Sequence, residues 1–249
     1  MRICSRTCLI ACVVIAHAAC SGAGGLFRQY EYEEDVYLSL DGSATVYVNC
    51  SIPALDALRG TAFDAGPAAR VDRAAVREFY SSPYTRVSRI SSTRRSSRRF
   101  VHVRVDVADV RQLHRAAPFA WSSYRFAREG DQYVYRQEIG ASANREVGRV
   151  GWTGREMVAF RLHLPSKITG QNSGRGVSRG NILVWEQPLA ARIRGEPLVL
   201  DARMQTESIL YRTLWLFGAT FAAVAAAFAL VIWWVMSRPV RGSHHADPV

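Results

Sequence analysis

From Val36 the chain alternates apolar and polar positions. Val36, Leu38 and Leu40 point one way and Asp35, Tyr37 and Ser39 the other; after "DGS" the set Val46, Val48 and Cys50 again shares one face. Period-two alternation marks half-buried strands, and turn residues between two such runs predict a β-hairpin. A two-residue Asp41-Gly42 turn sets Leu38 against Thr45, out of phase, so the pattern asks for a three-residue loop with Gly42 at positive φ. In the following "SIPALDALRG", Pro53 suits a first helical turn, Leu55 and Leu58 share a face, and Gly60 stands where a helix ends. A second short helix is expected over 71–81, apolar at Val71, Ala75, Val76 and Phe79 and stopped by Pro83.

The same order of positions returns downstream. "VYVNCSIPALDAL" from Val46 lies over "VHVRVDVADVRQL" from Val101 with apolar positions coinciding, Ser51 and Asp106 are both candidate N-caps, and a weaker third copy runs through "LVWEQPLAARIRG". In "SYRFAREGDQYVYRQ" a Glu129-Gly130 turn pairs Phe126 with Tyr133 and Tyr124 with Tyr135, stacking four aromatics on one face. "MVAFRLHLP", "NILVW" and "LVLDARM" read as further strands. Strands interleaved with only short helices predict an α+β fold, an antiparallel sheet of β-hairpins with short helices, followed by one C-terminal transmembrane helix.

That last helix is the stretch 214–236, which carries no charge and is framed by Trp215 at one end and Trp233 and Trp234 at the other. Its length covers the roughly 30 Å hydrocarbon core of a bilayer. At the other end, Arg2 and Arg6, the apolar run "CLIACVVIA" and the small residues of "AHA" have the three parts of a secretory signal. The expected order is therefore a signal peptide (1–19), a flexible tether (20–29), an extracytoplasmic α+β domain (30–205), a juxtamembrane segment and span (206–236) and a cytoplasmic tail (237–249). Arg238 and Arg241 beyond the span place that tail in the cytoplasm by the positive-inside rule. The expected location is the cytoplasmic (inner) membrane, crossed once.

Composition narrows the partners. The formal net charge is +11, and of 32 basic residues only Lys167 is lysine. An exported domain does not meet chromosomal nucleic acid, so the counter-surface for this charge is membrane lipid, an anionic envelope polymer or another envelope protein. Export removes Cys4, Cys8 and Cys12 with the signal. Only Cys20 and Cys50 then remain, too few for a disulfide framework. Cys20, after "HAA", is a lipidation candidate, although His17 departs from the aliphatic residue usual before such a cysteine.

Four further groups of residues are candidates for chemistry. The run "RRSSRR" puts Arg94, Arg95, Arg98 and Arg99 at the tip of a hairpin, where guanidinium groups would grip phosphate or carboxylate bidentately. The ladder Tyr124, Phe126, Tyr133 and Tyr135 is a candidate ligand platform, its default meaning being core packing. Gly218, Ala222 and Ala226 recur every four residues in the span, the small-residue pattern by which two helices approach closely, so a homodimer through the span is expected. Glu31, Glu33, Glu34 and Asp35 read as protection of an edge strand, since calcium-loop spacing is absent. The glycine-rich "GQNSGRGVSRGN" lacks the Lys-Ser/Thr and following helix of a phosphate-binding loop, and His102 and His163 have no second ligand at metal spacing. No catalytic residue, metal site or cofactor is read.

The stretches "YLSLDGSATVYVNCSIPAL" and "RGNILVWEQPL", with the anchored C-terminus, resemble a group of uncharacterised bacterial membrane-anchored envelope proteins. The opening hairpin is also faintly similar to the LppM-type lipoprotein domain. The resemblance implies an extracytoplasmic domain concerned with envelope lipids. The expected function is a non-enzymatic, membrane-anchored binding or scaffold domain for envelope lipids or an anionic polymer. The alternatives are an envelope hydrolase or transferase with an unrecognised site, and a viral type I membrane glycoprotein glycosylated at Asn49.

Overall fold

The computed structural model describes residues 28–237 except 67, 175 and 177–180. The signal peptide, Cys20, most of the tether, Arg238, Arg241 and nearly all of the tail lie outside the described residues, as does part of the glycine-rich stretch. The chain divides into two compact units between Thr206 and Glu207.

The first unit contains two sheets and short helices. Strands β1 (Tyr30–Leu38), β2 (Ala44–Ser51), β3 (Thr85–Arg95), β4 (Arg98–Val107), β7 (Met157–His163) and β9 (Ile182–Pro188) form a six-stranded sheet in the order β3-β4-β2-β1-β7-β9. Its one parallel pair is β1 with β7. Strands β5 (Ser122–Glu129), β6 (Gln132–Ile139), β10 (Leu198–Ser208) and β8 (Ser166–Gln171) form a second sheet in the order β5-β6-β10-β8.

The first hairpin follows the alternation. Val36 pairs with Val46 and Glu34 with Val48. Ser39 N–H bonds to the Ser43 carbonyl at 2.9 Å, leaving Leu40, Asp41 and Gly42 as a three-residue loop with Gly42 at φ +90°. Helix α1 (Ile52–Arg59) starts where the Ser51 hydroxyl accepts from Ala54 N–H and ends at Gly60 in the left-handed region, at φ +73°. It is buried from Ile52 to Leu58, so it belongs to the core and not to the surface. Helix α2 (Arg73–Tyr80) is capped by Asp72, one turn shorter than the periodicity suggests. The repeated order has a structural counterpart. β2 pairs antiparallel with β4, Val48 directly opposite its equivalent Val103, and β4 leads into a 3-10 turn at Val110–Arg115 where β2 leads into α1. β9 likewise leads into the five-residue helix α3 (Leu189–Ile193), with Gly195 at φ +78°.

The apolar inner faces of both sheets and the apolar side of α1 make one core. Two details differ from the sequence reading. The β5–β6 hairpin turns at Gly130-Asp131, so Phe126 faces Tyr135 and Tyr124 faces Gln137; Phe126 and Tyr133 meet diagonally, stacked at 5.1 Å. The acidic strand is not an edge: β1 lies between β2 and β7, and its carboxylates are matched to arginines. Glu31 pairs with Arg98 (2.9 Å), Glu33 and Asp35 with Arg161 (2.7 and 3.1 Å), and Glu34 faces Arg59 (3.6 Å). Ion pairing with arginines of α1, β4 and β7 replaces edge protection as the reason for this charge.

The second unit carries helix α4 (Ile209–Met236), opened by the Ser208 hydroxyl on Leu210 N–H. It has a mean hydropathy of 2.2 over its most apolar window, none of which is buried against protein.

Candidate functional site

The basic hairpin is rearranged by its own turn. Ser96 and Ser97 occupy the left-handed region at φ 48° and 59°, a two-residue turn that prolongs the strands so that Arg94 pairs with Arg99 and Arg95 with Arg98. The four guanidinium groups therefore do not project together, which corrects the expectation from the sequence. Arg98 is buried: it donates to Glu31 and to the carbonyls of Val150 and Gly151, and so is a structural residue. Arg95 donates to the Tyr30 carbonyl and lies 4.3 Å over the Phe100 ring. Arg94 and Arg99 remain for anions, and Arg99 is drawn into new company.

That company is the start of α2. Asp72 accepts from Ala74 and Ala75 N–H at 2.9 and 3.0 Å, and Arg77 donates to the Val87 carbonyl at 3.0 Å, seating the helix on β3. The residues that open the helix then face the hairpin across a cavity of about 370 Å³ lined by Arg70, Val71, Arg73, Ser92 and Arg99. Three of its five walls are guanidinium-bearing and none is acidic. Among the described residues, neither Arg70, Arg73, Arg94 nor Arg99 forms an ion pair, and Arg99 Nε is buried without a hydrogen-bond partner. Asp72, between Arg70 and Arg73 in sequence, turns its Oδ1 to the helix N-terminus and is not part of the cavity lining. Unpaired guanidinium groups around one cavity repel each other and leave N–H donors open, and an oxyanion answers both. Arg70 and Arg73 escaped the sequence reading because they flank a helix cap. The cue was the pattern Arg-Val-Asp-Arg, two arginines around a carboxylate that caps a helix.

A second polar cluster lies in the core. The Tyr32 hydroxyl donates to Glu34 at 2.9 Å, Arg59 donates to the Tyr32 oxygen at 2.6 Å, and Gln137 reaches Glu34 at 3.2 Å from the opposite sheet. The Arg59 guanidinium lies over the Trp121 ring, whose surroundings also include Arg192 at 5.4 Å. Burial pushes the Glu34 carboxyl up despite the opposing pull of Arg59. The same desolvation raises the Cys50 thiol to about 12, which makes this free cysteine unreactive.

The aromatic ladder belongs to this interior. Tyr124, Phe126 and Tyr135 are buried and Tyr133 half-buried, so they share a face as expected but pack the core and expose no platform. His102 is held between Thr93 (2.8 Å) and Asn49 (2.9 Å), and burial followed by the charge of Arg95 lowers its pKa. Gly218, Ala222 and Ala226 lie on the exposed surface of α4. Among the described residues no group of three or more His, Cys, Asp or Glu side chains could hold a metal ion.

No protein-family model matches the chain, and no curated protein matches it. Among solved structures, the chain is similar to the NMR structure of the folded domain of Mycobacterium tuberculosis LppM. The TM-score is 0.40 at 13% identity, over 72% of this chain and 92% of that one.

Proposed function

We propose that this single-pass membrane protein holds its folded domain outside the cytoplasm as a binding module, and that Arg70, Arg73 and Arg99 receive the phosphate of an anionic membrane lipid. The observation that carries this reading is the cavity of about 370 Å³ with three guanidinium-bearing walls and no carboxylate. Arginine suits a phosphate because its planar fork donates two parallel hydrogen bonds. A lipid, more than a free ion, suits a domain tethered to a bilayer, where headgroups are concentrated next to it. The signal-like N-terminus and the arginines at 238 and 241 support the orientation. The inner membrane of a bacterial envelope is the setting this implies.

The test is binding of the full chain, reconstituted in phosphatidylcholine nanodiscs so that α4 is already in lipid, to immobilised vesicles of phosphatidylglycerol or phosphatidylcholine. Preference for the anionic vesicle is expected, with Arg99→Ala or Arg73→Ala weakening it about fivefold each, for about 1 kcal/mol per basic residue near an anionic surface. Equal binding to both vesicles, or no change in the variants, overturns the proposal. Capture by a soluble polyanion with no response to anionic vesicles moves the site to an envelope polymer and rejects the lipid.

A further inference from the structure

The outer face of the six-stranded sheet carries a second open feature, independent of the arginine cavity. Tyr37 is 45% exposed, and the other large hydrophobic side chains exposed among the described residues all belong to α4. A tyrosine turned outward beside Asp35, Thr45 and Arg161 would swing freely unless held. Here strand register holds it. Tyr37 pairs with His163 across the parallel β1–β7 ladder and with Thr45 across β1–β2. Its ring lies flat on the imidazole, with centroids 3.8 Å apart and planes 11° apart. Tyr47 meets Tyr37 edge-on at 5.4 Å and is backed by the Arg104 guanidinium at 5.7 Å.

This fixed ring borders an open cleft of about 470 Å³ whose other walls include Ser39, Ser43, Thr45, Asp106 and His163. Beside Tyr37 and His163 the cleft presents three serine and threonine hydroxyls, one carboxylate and five apolar side chains, with no guanidinium among them. Charges nearby sum to zero: Asp106 lies between Arg86 and Arg104 at 3.3 and 3.7 Å, and Arg161 between Glu33 and Asp35 at 2.7 and 3.1 Å. Burial, reinforced by Arg161, lowers the pKa of His163 against the pull of Asp35, so the ring under Tyr37 is neutral at pH 7. A charged ligand finds no net complement here. A ligand with an apolar side and a rim of hydroxyls does, because its C–H groups pack on the part of the Tyr37 ring that His163 and Tyr47 leave exposed while its hydroxyls exchange hydrogen bonds with the polar walls.

We propose that the cleft beside Tyr37 and His163 is a binding site for a neutral saccharide, with Tyr37 as its aromatic wall and Thr45, Ser39 and Asp106 as hydrogen-bonding walls. The sugar is held by stacking and hydroxyl contacts alone, with no covalent step.

The experiment is saturation-transfer NMR and calorimetric titration of the full chain, in a detergent without a sugar headgroup, against maltotriose, cellotriose, mannotriose and chitotriose. Binding of at least one trisaccharide is expected. Tyr37→Ala should weaken it about tenfold, and Tyr37→Phe, which keeps the ring, should retain most of it. Arg99→Ala should leave it unchanged, which separates this site from the anion cavity. Thermal melts of each variant check folding; losing the ring contacts with His163 and Tyr47 should lower the midpoint of Tyr37→Ala by a few degrees and still leave a cooperative transition. His163→Ala removes the support under the ring and should weaken the same sugar. Failure of all four sugars to bind, or equal affinity in wild type and folded Tyr37→Ala, overturns the proposal.

Discussion

Glu34 shows how one residue can be specified by burial and partners together. Its carboxylate accepts from Tyr32 and Gln137 and faces Arg59, yet the loss of solvent outweighs these and raises its pKa from the ordinary 4.5. The folded chain therefore holds this proton more tightly than the unfolded chain does. Stability from this group is fully present below the unfolded value and is lost as pH rises through the raised folded value. Glu34→Gln removes the titration, so the stability of the variant relative to wild type should increase as pH rises above the unfolded carboxyl value of about 4.3 and level off beyond the raised folded value. Denaturant melts across that range measure it, and parallel pH profiles for the two proteins would contradict the assigned cause. Arg98 is the opposite case. Its charge is answered by Glu31 at 2.9 Å and by two carbonyls, so it serves the fold even though it sits within a run of arginines that reads as a surface patch.

At the scale of the element, the β3–β4 hairpin is built on a strained turn. Ser96 and Ser97 both adopt positive φ, which costs an L-residue about 1–2 kcal/mol and glycine almost nothing. Ser97→Gly should therefore stabilise the domain by about 0.5–1 kcal/mol after the entropy that glycine loses on folding, raising the melting midpoint by about 1–4 °C. A lower midpoint in calorimetry would reject this account of the turn. The sequence carried no glycine there to announce the turn, and so the direction of Arg98 was illegible. The first hairpin was legible because alternation and Gly42 together admit one loop length. The β5–β6 register was not. A shift of two residues keeps Tyr124, Phe126, Tyr133 and Tyr135 on one face, so the apolar pattern is satisfied by either turn. The central place of β1 was hidden for a different reason: it depends on parallel pairing with β7, and on arginines at 59, 98 and 161 that no local window connects to residues 31–35. Arg70 and Arg73 likewise meet Arg99 only through the seating of α2 on β3.

For the whole molecule, the division between Thr206 and Glu207 separates two solutions to the same problem of apolar surface. The first unit hides its apolar residues between sheets and around α1. The second leaves Leu214, Phe217, Phe221, Phe228 and Trp233 exposed along α4, with none of its most apolar window buried against protein. At 1.5 Å per residue its 28 residues span about 42 Å, more than the roughly 30 Å hydrocarbon core, so the helix crosses with tilt or extends into the headgroup layer. An apolar surface this continuous is stable only in lipid, because transfer to water costs about 25 cal/mol for each Å² left uncovered. Both sheets lie in the first unit except for the last two residues of β10, so that unit has the core it needs to fold alone. The full chain should therefore stay with membranes through alkaline carbonate washing. A chain ended after Thr206 should be recovered in the soluble fraction with the near-ultraviolet dichroism of the intact domain. Release of the full chain by carbonate would mean that α4 lies on the bilayer or against another protein, and membrane retention of the shortened chain would place a second anchor before Glu207.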